Sequence, residues 1–373
     1  MPSAQARTAD ADNVIKSVKQ RLAPDKRQEI FEITPTYNAD SSSVILKGKL
    51  SERETYNSLI GELRQNNVNF VDSVTVFDAN RWAQTRLSAA CMRVEPGNAK
   101  EMATQSLMGT PLRLLEKAGE WWRVQTPDGY ISYINQSGLV EKTVDELAAW
   151  RSSDRLIVTN PYQTRAYTTK KATGVREAVT DLVNGDIVVG KIKKGDKRVL
   201  VTLPDGREGW VDAKDLTPIE TWAAQDFNPD VILDMAYSME GTPYLWGGMS
   251  PKTLDCSGLA RVSYFANAII LMRDASQQAL TGTRIEAADW RTCQPGDLLF
   301  FGNAKTQRVT HVAVYDHDGN YVHSSGRVKR NSVDPDSEAY LTTPFLWAVR
   351  INGNIGTKGI TRVANHPWYF NQK

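Results

Sequence analysis

The sequence predicts a multidomain protein. It comprises a small α/β N-terminal domain over residues 1–85, two all-β barrels over 86–143 and 150–218, an α+β domain over 226–352, and a tail over 353–373. Three observations carry this. At 373 residues the chain is longer than one hydrophobic core usually serves, so it divides into several. Its middle third runs in short β-rich stretches separated by Gly, Pro and Asp, and the pattern repeats. From Pro229 onward helical spacing comes first and strands follow, the order of an α+β domain.

The N-terminal elements follow from periodicity. Val14, Ile15, Val18 and Leu22 have helical spacing and stop before Pro24. Residues 30–33 and 44–50 alternate as strands. Ser51 and Glu54 read as a capping box that opens a helix with Tyr56, Leu59, Ile60 and Leu63 on one face. Residues 74–77 form a further strand. No chemistry-bearing group stands out here, so the expected role is spacing or interaction.

The middle stretch contains one plan twice. Each copy joins a strand through a Pro-Asp-Gly turn, at 127–129 and again at 204–206, to a strand ending in an aromatic-aliphatic pair. The pairs are Tyr133-Ile134 and Trp210-Val211. A polar helical stretch around 144–150 connects the copies. Trp121, Trp122 and Trp246 read as core, a sugar or peptide groove being the alternative, and the basic run from Lys191 to Lys197 as a solvated hairpin tip.

Composition excludes several classes. With 41% hydrophobic and 24% charged residues the chain is an ordinary globular protein. A net charge of +2 without a Lys/Arg stripe argues against a nucleic-acid partner. No apolar run approaches a membrane span, and residues 1–13 have no apolar signal core. The three cysteines, Cys91, Cys256 and Cys293, lack zinc spacing, and nothing implies a metal or other cofactor. Cys91 and Cys293 read as structural.

Cys256 is different. It opens a stretch in which Leu259, Val262, Tyr264, Ala266, Ile269 and Ile270 have mostly helical spacing. A cysteine in the first helical turn meets unpaired N–H groups and the positive end of the helix dipole, which lower a thiol pKa and make a nucleophile. Of the four histidines, His317 and His366 read as surface or packing residues. His311 and His323 lie on two predicted strands around Asp316-His317-Asp318-Gly319-Asn320. A three-residue His317-Asp318-Gly319 loop puts both on one face as diagonal neighbours; a two-residue turn puts them on opposite faces. On one face, one imidazole serves as base to the thiol and the other holds its Nδ1–H.

Tyr244-Leu245-Trp246-Gly247-Gly248, Asp255-Cys256-Ser257-Gly258, Pro295-Gly296-Asp297 before Leu298 to Phe301, His311-Val312-Ala313-Val314-Tyr315 and His323 together resemble the NlpC-type family of bacterial cell-wall cysteine peptidases, over residues 228–352. The repeat resembles tandem bacterial SH3-like barrels. The whole arrangement, with Arg273 to Gln278, looks like the γ-D-glutamyl-L-diamino-acid endopeptidases of murein peptide recycling. That resemblance implies a papain-like catalytic domain and a murein tripeptide or tetrapeptide substrate with a free N-terminal L-Ala. The bond cut precedes meso-diaminopimelate or L-lysine. It implies Cys256 as nucleophile, His311 as base and His323 as the orienting member. Tyr244 is placed near the oxyanion hole, with Asp255, Ser257 and Ser276 lining the pocket. Glu101 and Tyr133 are the expected clamp for the substrate ammonium, with Glu95 and Tyr130 as alternatives. A periplasmic or envelope location is also implied, the cytoplasm being the alternative. Competing readings are a non-catalytic wall-binding protein and a papain-like amidase or acyltransferase.

Overall fold

The structure, a computed structural model, describes residues 4–39, 43–77 and 80–371. In the N-terminal unit a helix (Ala4–Leu22) and a second (Arg53–Gln65) cover a three-stranded sheet. Strand Phe31–Tyr37 runs antiparallel to Val44–Leu50, which runs parallel to Phe70–Val76. Val18, Leu46, Leu50, Leu59 and Leu63 close the core between them. Ser51 does not cap the second helix. Its side chain is buried and accepts the Ile30 N–H at 3.0 Å, and Glu52 takes the cap position without a side-chain bond. An orphan N–H at the edge of the core has the stronger claim on the hydroxyl than a helix end open to water.

Two seven-stranded antiparallel sheets follow. The first begins earlier than the boundary at residue 86: Trp82–Thr85 pairs with Leu139–Lys142 on one side and with Pro111 to Arg113 on the other. The repeated turns are equivalent. Gly129 and Gly206 both sit in the left-handed region (φ 82° and 85°), closing turns on Thr126 and Leu203. Trp122 is buried in the first barrel. The helix Val144–Ser152 joins the barrels, opened by a Thr143/Glu146 capping box. The barrels also meet directly. Asp186, fully buried, accepts N–H groups of Met108 and Val183 at 2.9 and 2.8 Å.

In the last unit, helices Pro229–Ser238 and Cys256–Ala266 pack on a six-stranded antiparallel sheet. Asn228 caps the first helix through the Asp230 N–H. Cys256, Ala260 and Tyr264 of the second meet Leu298, Phe300, Val312 and Val314. This helix ends sooner than its apolar spacing suggests. Asn267 is the C-cap, Ala268 turns to φ 55°, and Ile269–Leu271 forms a strand against Ile360–Arg362 of the tail. The tail therefore packs back on the body: Tyr369 is buried beside Trp150 and Trp222, and Trp368 meets Trp82 edge-on at 4.9 Å. His366 Nε2 donates to the Pro127 carbonyl at 2.9 Å. Among the described residues, no helix is long and apolar enough to cross a membrane.

Candidate active site

Asp255 caps the helix of Cys256 by accepting the Gly258 N–H at 2.6 Å. Gly258 has no alternative there, since a Cβ would lie 1.9 Å from the Gly248 carbonyl oxygen. Arg273, wholly buried, grips Asp255 with both arms of its guanidinium, at 2.6 and 3.2 Å. It also donates to Ser257 Oγ at 2.8 Å and to Thr104 Oγ1 of the first barrel at 2.8 Å. Asp255 and Ser257 do border the cleft, but their polar atoms are spent on fixing the turn that presents Cys256.

The histidine hairpin has the three-residue loop. Tyr315 pairs with Tyr321 and Val314 with Val322, and the Asn320 N–H closes on the His317 carbonyl at 2.8 Å. Asp318 shares the left-handed region with Gly319 (φ 51° and 80°). In this register His311 and His323 share a face, and His311 Nε2 lies 2.8 Å from His323 Nδ1. The ring orientation differs from the expected one, because His323 holds Nε2 of His311 and leaves Nδ1 free.

A residue the sequence reading missed sets the direction of this chain. His323 Nε2 lies 2.9 Å from Asn331 Oδ1, while Asn331 Nδ2 donates to the Ala339 carbonyl at 2.9 Å. An amide oxygen only accepts, so His323 carries its proton on Nε2 and presents a lone pair at Nδ1. His311 must then donate from Nε2, and its Nδ1 carries the basic lone pair. Only strand pairing of 320–325 with 327–332 brings Asn331 there, which no local motif announces.

The electrostatics correct one expectation. Burial and the Asp255 charge push the Cys256 thiol up to about 12, outweighing the Val312 and Ser257 N–H groups that pull it down. Burial, then the charges of His323 and Lys329, push His311 down to about 3; burial pushes His323 down to about 4. These shifts leave Cys256 a neutral thiol and His311 a neutral imidazole. Tyr244 is likewise kept protonated, pushed up to about 12 by burial and by nearby Cys256 and Asp255, so it remains an O–H donor.

Cys256 opens into a cleft of roughly 740 Å³, within the range of small-molecule and short-peptide sites. Ser276, Trp246 and Glu101 line it, as does Tyr130. Tyr133 does not. It lies under the Arg123 guanidinium at 5.8 Å, near Glu32 and Lys49 of the N-terminal unit, so the tyrosine at the cleft is Tyr130. Glu95 is exposed and paired with Lys100. Cys293 packs against Phe301 and Tyr315, whereas Cys91 is an exposed residue within a strand. His317 is exposed beside Asp316. Among the described residues, no group of three or more His, Cys, Asp or Glu is placed to hold a metal.

Residues 241–350 match the NlpC/P60 family, and residues 92–139 match the bacterial dipeptidyl-peptidase SH3 domain. A gamma-D-glutamyl-L-lysine dipeptidyl-peptidase of Bacillus cereus is 28% identical over 262 residues, covering 65% of this chain and 73% of that protein. Dipeptidyl-peptidase 6 of Lysinibacillus sphaericus is 28% identical over 264 residues, covering 67% and 91%. The probable endopeptidase NlpC of Escherichia coli is 38% identical over 121 residues, covering 32% and 75%. Among solved structures, an NlpC/P60 family protein from Bacillus cereus has a TM-score of 0.60 at 20% identity, covering 72% of this chain and 99% of that one, which is a likeness of fold.

Proposed function

The chain belongs to the NlpC/P60 family of cysteine peptidases, and we propose that it cuts murein-derived peptides between γ-D-glutamate and a diamino acid, requiring a free N-terminal L-Ala. One observation carries the proposal. Glu101 of the first barrel makes no ion pair among the described residues and lines the same cleft as Cys256. A free carboxylate at one end of a catalytic cleft suits a substrate ammonium group and disfavours an acylated terminus. Tyr130 borders the same cleft.

In this reading Cys256 gives its proton to Nδ1 of His311 as the sulfur attacks the γ-carbonyl carbon of D-glutamate. Because both groups rest neutral, transfer and attack occur together rather than from a stored thiolate. The developing oxyanion meets the Cys256 backbone N–H, which as the first of its helix has no partner within it, and the Tyr244 phenol. His311, now cationic, protonates the diamino acid nitrogen. The C–N bond breaks and a thioester remains. Water then attacks the thioester, giving its proton to His311, and release of the dipeptide acid restores the thiol. We place this chemistry in cell-wall peptide turnover and, from the origin of such peptides, in the periplasm or envelope.

The test is incubation with L-Ala-γ-D-Glu tripeptides carrying either diamino acid, free or N-acetylated, read by mass spectrometry. The free peptides should release L-Ala-γ-D-Glu and the acetylated ones should be far poorer substrates. Equal rates on both would remove the first barrel from recognition and point to intact wall. Cys256→Ala should abolish release with the fold retained, and unchanged turnover in that variant would dispose of the mechanism.

A further inference from the structure

The cleft contains more charge than the reaction uses. Asp255 is neutralised by Arg273, and Arg27 is shared between Asp25 at 2.7 Å and Asp274 at 2.8 Å, with the Tyr130 hydroxyl on Asp274 at 3.2 Å. Once those pairs are set aside, Glu101, Lys26 and Arg308 line the cleft without an ion pair among the described residues. Lys26 and Arg27 come from the N-terminal unit, between its first helix and first strand, outside both matched regions.

That segment is clamped between the first barrel and residues 272–278. The Ile131 N–H donates to the Arg27 carbonyl at 2.7 Å, and Gln125 Nε2 to the Gln28 carbonyl at 3.0 Å. Gln277 Nε2 reaches Asp25 Oδ2 at 2.8 Å, and Arg27 Nη1 also donates to Ser276 Oγ at 3.1 Å. The Lys26 side chain is exposed, but the backbone that carries it is held from both sides.

We propose that the N-terminal unit is part of the substrate site. Lys26 binds a carboxylate of the peptide, and Arg27 is a positioning residue that holds Asp274 and Ser276. The inference rests on the peptidase reading above and deepens it. A γ-linked glutamyl residue keeps its α-carboxylate free, and the diamino acid adds at least one more, so the substrate is an ammonium at one end with anions along its length. Glu101 and Lys26 are complementary to that pattern, and Arg27 preserves it. Without Arg27, Asp274 would be a second bare carboxylate where an anionic substrate must lie.

The experiment measures kcat and KM of wild type, Lys26→Gln and Arg308→Gln on three peptides. These are the free tripeptide, the same peptide with the glutamate α-carboxylate amidated, and the same with the diamino acid carboxylate amidated. Lys26→Gln should raise KM roughly tenfold on the free tripeptide, the scale of one charge-assisted hydrogen bond, with the effect falling on KM rather than kcat. The penalty should vanish on the one amide that lacks the carboxylate Lys26 reads, which identifies it. An unchanged KM, an equal penalty on all three peptides, or discrimination that follows Arg308→Gln instead would overturn the assignment. Wild type inert on every peptide would sink the peptidase reading as well; wild type active with Lys26 silent sinks this inference alone.

Discussion

Replacing Asn331 by leucine tests whether the direction of the histidine chain matters. Asn331 Oδ1 is the acceptor that keeps the His323 proton on Nε2, and its own amide is held by the Ala339 carbonyl. Leucine keeps the branched shape but leaves a buried N–H without a partner, a loss of about 1–3 kcal/mol. The inverted chain sets a ring lone pair against the leucine in place of the N–H, so that loss is the upper bound on its advantage. With its proton on Nδ1, His323 donates to His311 Nε2, and His311 then carries an Nδ1–H at the nitrogen that takes the thiol proton in the proposed mechanism. A preference of that size for the inverted chain leaves roughly one molecule in 5 to 150 competent. Accordingly kcat on the free tripeptide should fall by that factor while KM holds. The ¹⁵N shifts of His311 should show the proton moving from Nε2 to Nδ1. Asn331→Asp keeps an acceptor at the same place and should recover most of the rate. Wild-type kcat in Asn331→Leu, or an unchanged His311 tautomer, would refute the relay even if the variant melts earlier.

Three further outcomes follow from the same geometry. Arg273→Met strands the Asp255 carboxylate in a buried site and should cost about 3–5 kcal/mol, read as a loss in denaturant midpoint, with Arg273→Lys between it and wild type. Alkylation of Cys256 by iodoacetamide should be slow at neutral pH and rise steeply only in alkaline solution, because the thiol is pushed up to about 12; fast modification at pH 7 would contradict a neutral resting pair. Stability should fall on acidification from about pH 6.5. His311 and His323 have folded pKa values below their unfolded ones, so the unfolded chain binds protons first, costing about 2 kcal/mol per imidazole at pH 5. His311→Gln/His323→Gln should flatten that part of the pH–stability curve.

What could be read from the sequence was what neighbours along the chain decide. The hairpin register depends on the loop at 317–319, and a strand period of two then carries His311 and His323 to one face. The start of the Cys256 helix is equally local, since Asp255 caps it three residues on. Where the reading failed, a distant partner made the choice. Ser51 could cap a helix or satisfy the Ile30 N–H, and burial of the strand edge decided for the second. Ile269 and Ile270 suit a helix or a strand, and the tail strand Ile360–Arg362 decided for the strand.

The thiol shows the same division within one residue. Its helix-start position does pull the pKa down, but the sheet packed over it makes burial the larger effect. Tyr130 stands just before the strand Ile131–Asn135 and Tyr133 within it, and only the docking of the first barrel determines which of them lines the cleft of Cys256. That docking passes through Arg273, which binds Thr104 of the barrel and Asp255 beside Cys256 with one guanidinium. A substitution that loosens the barrel therefore acts on the cap of the Cys256 helix as well as on the far wall of the cleft. Recognition and catalysis should fail together in such variants, whereas Lys26→Gln should separate them.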